Sequence, residues 1–108
     1  MDNKLSAYIG FARKSGRLAA GCCAARESAE KGKAKIILIS SDVSAKSKKE
    51  MLFTAKKYNV KSAVLDDVSM EEMSDCIKLK CGVVAINDIS LATAIYENLK
   101  DRNKEVML

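Results

Sequence analysis

Near the start of the chain, Leu5, Tyr8, Ile9 and Ala12 follow the i, i+3, i+4, i+7 spacing of an amphipathic helix, which Ser15 and Gly16 end. A short extended segment over 17–20 leads to a second helix over about 22–31, with Gly32 at its C′ position. The run over 35–40, Lys-Ile-Ile-Leu-Ile-Ser, leaves no solvent face and predicts a strand buried on both sides. Residues 42–44 offer N-cap chemistry for a third helix with Met51, Leu52, Ala55 and Tyr58 as its apolar stripe. Lys46, Lys48, Lys49, Lys56 and Lys57 lie elsewhere around that helix. Residues 62–65 read as a short strand, and Ser69 with Glu72 forms a capping box for a short helix holding Met73, Cys76 and Ile77. Residues 82–86 predict another buried strand. Asn87 or Asp88 then caps a last helix with Ala92, Ile95, Tyr96 and Leu99 on one face.

The order α-β-α-β-α-β-α-β-α predicts an α/β fold, a three-layer α-β-α sandwich around a small four-stranded mixed, mostly parallel sheet. In such sheets binding sites gather in the loops at one end of the strands. A chain of 108 residues suits one domain over 1–108 with one modest core, and no linker or repeat interrupts it.

Composition narrows the function. No apolar run approaches the roughly 20 residues that span a bilayer, and charges interrupt the apolar runs where a signal peptide would need them unbroken. A cytoplasmic protein with no membrane partner is expected. The chain has no histidine, so the commonest general base and metal ligand is missing, and no phosphate-cradling motif is present. A non-enzymatic role without a cofactor follows. Charge is unevenly divided: residues 1–61 hold 14 Lys/Arg against 5 Asp/Glu, and the remainder 5 against 9. A basic half on a small domain fits either a polyanion partner or a solvated lysine surface.

Four cysteines, at 22, 23, 76 and 81, leave two readings open. Four thiolates suit zinc or an iron–sulfur cluster, and the expected fold puts both pairs near one end of the sheet. The spacings are not Cys-x-x-Cys knuckles, however, and small half-buried residues at a helix–sheet contact explain them as packing. Adjacent cysteines are poorly placed for a disulfide with each other.

RKSGRLAAG, then KGKAKIILISSDVS, then DCIKLKCGVVAI before the last helix, resemble the kink-turn RNA-binding ribosomal protein superfamily of the archaeal large-subunit "L seven Ae" type. The likeness is greatest to its bacterial YlxQ-like members and runs from about Leu5 to Leu99. It implies an α-β-α sandwich that binds structured RNA, not DNA, as a monomer associated with ribosomes. The family's Gly-x-Asn-Glu-x-x-Lys motif falls on Gly21, with Cys23 at the Asn position, Ala24 at the Glu position and Glu27 at the Lys position. Alanine cannot hydrogen-bond a base edge, and glutamate repels phosphate where lysine would attract it. Arg26 is a neighbouring cation but points about 100° away around the helix.

By the same resemblance Arg17, Lys35 and Asp42 sit at family positions, and the second RNA-contacting loop covers 77–82, with Ile77, Lys78, Leu79, Lys80 and Cys81. The expected interface therefore has Arg17, Lys35, Lys46, Lys78 and Lys80 with the backbone amides of 21–23, Cys22 included, on phosphates. Cys23, Ala24, Leu79 and Cys81 pack on sugars and bases. A protein-interaction module of the same fold is the alternative, and a thiol-ligated metal or redox module is the third reading.

Overall fold

The computed structural model describes residues 2–101. The elements are α1 (Asn3–Lys14), β1 (Leu18–Ala20), α2 (Cys22–Glu30), β2 (Ile36–Ser40), α3 (Ala45–Lys57), β3 (Lys61–Leu65), α4 (Met70–Ile77), β4 (Val83–Ile86) and α5 (Ile89–Asp101). Local chemistry sets most of their boundaries. Asp2, Ser44 and Asp88 each accept a hydrogen bond from the amide three residues on, at Leu5, Ser47 and Leu91. Both arms of the Ser69–Glu72 capping box are formed.

The strands lie in the order β1-β4-β2-β3. Only β2 and β3 pair in parallel, while β4 is antiparallel to β1 on one side and β2 on the other. The mixed sheet agrees with expectation, but a mostly parallel one does not. β1, β2 and β3 do share one direction, as helical crossovers require. The exception is β4, and its reason is the path out of β3. The chain leaves β3 at Leu65, opposite Ser40, and re-enters the sheet at Val83, opposite Ile39, at that same end. A parallel strand would have to start at the other end. Instead α4 stops after 8 residues at Lys78, a left-handed residue with φ of 60°, and the loop turns back. Because β4 then inserts between β1 and β2, one reversed strand makes two antiparallel pairings.

β2 alternates between two cores. Ile36 and Leu38 pack with Leu5, Ile9, Met73, Ile77, Ile95 and Leu99 under α1, α4 and α5. Ile37 and Ile39 pack with Ala25, Ala29, Met51 and Ala55 under α2 and α3. The alanine-rich α2 lets its axis approach β4, where Ala85 faces it in the same cluster. This close seat holds the start of α2 against the sheet end.

Candidate nucleic-acid interface

The strand register gives the sheet two ends. At the first, β1 runs into Gly21, β2 into residues 41–44 and β3 into residues 66–69, and β4 begins after Gly82. Thus α2, α3 and α4 all start at this end. Helix N-termini carry free N–H groups and about half a positive charge each. α4 offsets its own with Glu71 and Glu72, whereas α2 and α3 have no acidic residue in their first turns. α3 even carries exposed Lys46 there, where a cation opposes the helix dipole.

Gly21 is the N-cap of α2, with φ of 95° and ψ of 162°, a conformation that strains any side chain. Its amide donates to the Val83 carbonyl at 2.7 Å. The expectation that the Gly21 amide meets phosphate is therefore corrected: it ties β1 to β4. The amides of Cys22, Cys23 and Ala24, in the first turn, have no intrahelical acceptor, because the first such bond runs from Ala25 to the Gly21 carbonyl. Cys22 is half-buried against the α2–α3 core and Ala24 is half-buried, while Cys23 is exposed, its sulfur 3.8 Å from the Arg26 guanidinium. Glu27 is exposed and pairs with Lys31 at 2.6 Å. Lys31 holds its carboxyl below the usual range, first by hydrogen bonding and then by charge.

The loop after α4 completes this end. Lys78, Leu79 and Lys80 are all exposed, Leu79 at 43%. Ile77 and Cys81 are not. Both belong to the core beneath α1 and α4, which removes their side chains from the expected contacts; the left-handed turn at Lys78 leaves Lys78, Leu79 and Lys80 outward instead. Ser74 fixes the loop, its hydroxyl donating to the Cys81 carbonyl and accepting from the Cys81 amide, both at 3.1 Å. Asp42 is also structural: its carboxylate accepts from the Met70 amide at 2.7 Å, joining the β2–α3 loop to α4. Gly82 lies under that junction. A Cβ there would come within 2.6 Å of Val43 Cγ1 and 2.7 Å of Met70 Cγ.

Arg17 and Lys35 are at the other end. They flank Asn87, whose amide donates to the Arg17 carbonyl, while the Lys35 amide donates to the Ile86 carbonyl. The five residues of β2 put roughly 16 Å of strand between Lys35 and the α3 end. The expectation of one interface containing all five cations is corrected to Lys46, Lys78 and Lys80 at the first end, with Arg17 and Lys35 apart from them.

A family model for the ribosomal protein L7Ae/L30e/S12e/Gadd45 family matches residues 3–95. The chain belongs to this family. No curated protein sequence matches it significantly. Among solved structures, a protein of unknown function from Bacillus halodurans superposes with a TM-score of 0.85 at 17% identity, covering 92% of this chain and 99% of that one. A Giardia lamblia 15.5kD RNA binding protein superposes with a TM-score of 0.75 at 14% identity, covering 94% and 89%. The L7Ae-type fold expected from the sequence motifs is thus the fold observed.

In this L7Ae-family chain the cysteines part company. Cys76 turns to α1 and donates to the Ser6 carbonyl at 3.4 Å; Cys22 lies in the opposite layer. Burial pushes the Cys81 thiol up, away from thiolate. Among the described residues no three His, Cys, Asp or Glu side chains are grouped to hold a metal. Nor is any described helix long and apolar enough to cross a membrane. One neighbour of the interface escaped sequence reading: Arg13, at the end of α1, donates from Nε to the Ile77 carbonyl at 3.2 Å. It opens the RKSGRLAAG stretch, but its position in the last turn of a helix explained it locally.

Proposed function

We propose that this protein binds a bent, kinked RNA helix associated with ribosomes, as a monomeric cytoplasmic domain without an enzymatic step. The observation that carries the reading is the convergence of the α2 and α3 N-termini, free of first-turn carboxylates, with the exposed Lys78-Leu79-Lys80 loop. Amides at Cys22 and Cys23 and the amines of Lys46, Lys78 and Lys80 suit phosphates. The methylene-rich edge of Cys23, Ala24 and Leu79 suits sugars and unstacked bases. Family membership and the fold shared with the Giardia RNA-binding protein support the same partner.

The test is a gel shift on a kink-turn RNA and on a version whose sheared G·A pairs are broken. A preference of about tenfold or more for the intact kink is expected, with the affinity for both RNAs rising as salt is lowered. Equal binding, or no binding at low salt, overturns the kink-turn reading. Ala24 and Glu27 at motif positions favour a second reading, a protein-interaction module of the same fold. RNA affinity that does not change with salt supports that one.

A further inference from the structure

The end of the sheet that the family motif does not use carries its own basic cleft. Lys35 and Lys61 enter β2 and β3 side by side, since Ile36 pairs with Lys61 in the parallel ladder. α5 begins beside them and closes a cleft of about 260 Å³ lined also by Ile89, Thr93, Tyr96 and Glu97. Ile89 is 63% exposed, an apolar side chain standing free next to two lysines. The amines of Lys61 and Lys100 lie 5.4 and 5.1 Å from the Tyr96 ring centre. Arg17 adds a fourth basic group along the sheet end, held 3.6 Å from Asp88. Among the described residues Lys35, Lys61 and Lys100 have no carboxylate partner.

We infer that this cleft binds a second, single-stranded RNA segment, so that the domain contacts RNA at both ends of its sheet. The chemistry favours a single strand over a duplex. The cleft is at or below the small end of ligand sites, roughly 300–1,000 Å³, and admits a base or a nucleotide but not a helical groove. An aromatic ring and an aliphatic side chain beside amines are the parts from which single-strand sites are made: a base on the ring, phosphates on the cations. Lysines resting on Tyr96 have no acid to leave, so a phosphate recruits them without breaking an ion pair. Among the described residues Glu97 is the one carboxylate lining the cleft, and the Asp88 charge is already shared with Arg17.

The proposal rests on RNA being the partner but not on the kinked-helix site. Its test is the titration of a labelled oligouridylate into the full chain, with and without saturating unlabelled kink-turn RNA. Lys35→Gln/Lys61→Gln should lower oligouridylate affinity about tenfold at low salt and reduce the log–log salt slope by about 1.4, two single-strand phosphates. Lys48→Gln/Lys49→Gln, an equal loss of charge on α3, should stay within about twofold. Bound oligouridylate should survive saturation by the kinked RNA. Displacement by that RNA overturns the proposal, as does equal weakening in both double variants. Polyglutamate binding as tightly as oligouridylate to the same lysines overturns it in favour of an acidic protein. Because Lys35 is exposed and outside the strand, Lys35→Gln alone tests the cleft if the double variant folds poorly. If kink-turn RNA fails to bind while the oligouridylate results hold, the kinked-helix reading fails and the second site stands.

Discussion

The two ends of the sheet hold their cations in different settings. At the α2–α3 end, Lys46 occupies a first helical turn, against the local dipole, and Lys78, at the C-cap of α4, holds a left-handed conformation that glycine adopts more readily. The first placement opposes the helix dipole, and the second costs backbone strain although its charge suits a helix end. At the other end, Lys56 and Lys57 sit in the last turn of α3, where the dipole favours them, and Arg17 is matched to Asp88. Cations that the fold itself does not explain are the better pointers to a partner. By that measure the α2–α3 end is the better candidate for the proposed RNA interface. Of the far-end cations, Lys35 and Lys61 in the Tyr96 cleft are explained by neither a helix end nor an acid.

The comparison is sharpest within the loop after α4, where adjacent residues should divide cleanly between stability and binding. Ile77→Ala should cost about 2–5 kcal/mol, because Ile77 is 1% exposed in the larger core. Two residues on, Leu79→Ala should change stability by less than about 0.5 kcal/mol yet lower RNA affinity, since that side chain is 43% exposed. Denaturant midpoints and RNA titrations on the two variants decide it; a stability loss at Leu79 as large as at Ile77 would show that the loop is core.

Gly82→Ala comes next, at about 1–3 kcal/mol. The atoms its Cβ would meet are the γ-carbons of Val43 and Met70, near the roots of their side chains, so only rotamer or backbone shifts clear it. Since Met70 and Val43 belong to the junction held by Asp42, the same change should also weaken RNA binding at this end. An unaltered denaturation midpoint would mean the junction is looser than its packing indicates.

Sequence periodicity revealed every helix and strand because caps and apolar spacing are local signals. The Ser69–Glu72 box and Gly32 at C′ are written within a few residues. The direction of β4 is not. It depends on where α4 stops, which rests on one left-handed lysine that no propensity favours. The site followed the same rule. Cys22, Cys23 and Lys46 are at a helix start in sequence and remain so in space. Arg17 and Lys35 precede their strands, and only the pairing of those strands reveals that this sends them to the far end. The loss of the Gly21 amide to Val83 and the approach of Arg13 to Ile77 are contacts between residues more than sixty positions apart, invisible to any window.

Charge removal separates the two ends. Lys78→Gln/Lys80→Gln should weaken kinked-RNA binding about tenfold at low salt and lower the salt slope by about 1.5. Lys35→Gln should leave that affinity within about twofold. Equal losses in the two variants, read from titrations at several salt concentrations, would mean that the RNA is held by net charge and not by either end.

The smallest effect belongs to Glu27, the acid where the family motif carries a lysine. Its carboxyl is hydrogen-bonded to Lys31 and its pKa is lowered, so it stays ionised through neutral and mildly acid solution. The pair is present above the lowered pKa and lost only as pH falls through it. Protonation therefore gives no relief from phosphate repulsion at any pH suited to RNA. Lys31 answers part of that charge but lies one helical turn further from the N-terminus. Glu27→Lys removes the repulsion and restores the motif's cation, and should raise kinked-RNA affinity about threefold with a salt slope larger by about one. The side chain is exposed, so the fold should barely register the change. A gain in affinity that is the same for kinked and straight duplexes would show that Glu27 faces the RNA backbone without reading the kink. A gain confined to the kinked RNA would put the carboxylate beside the bend itself.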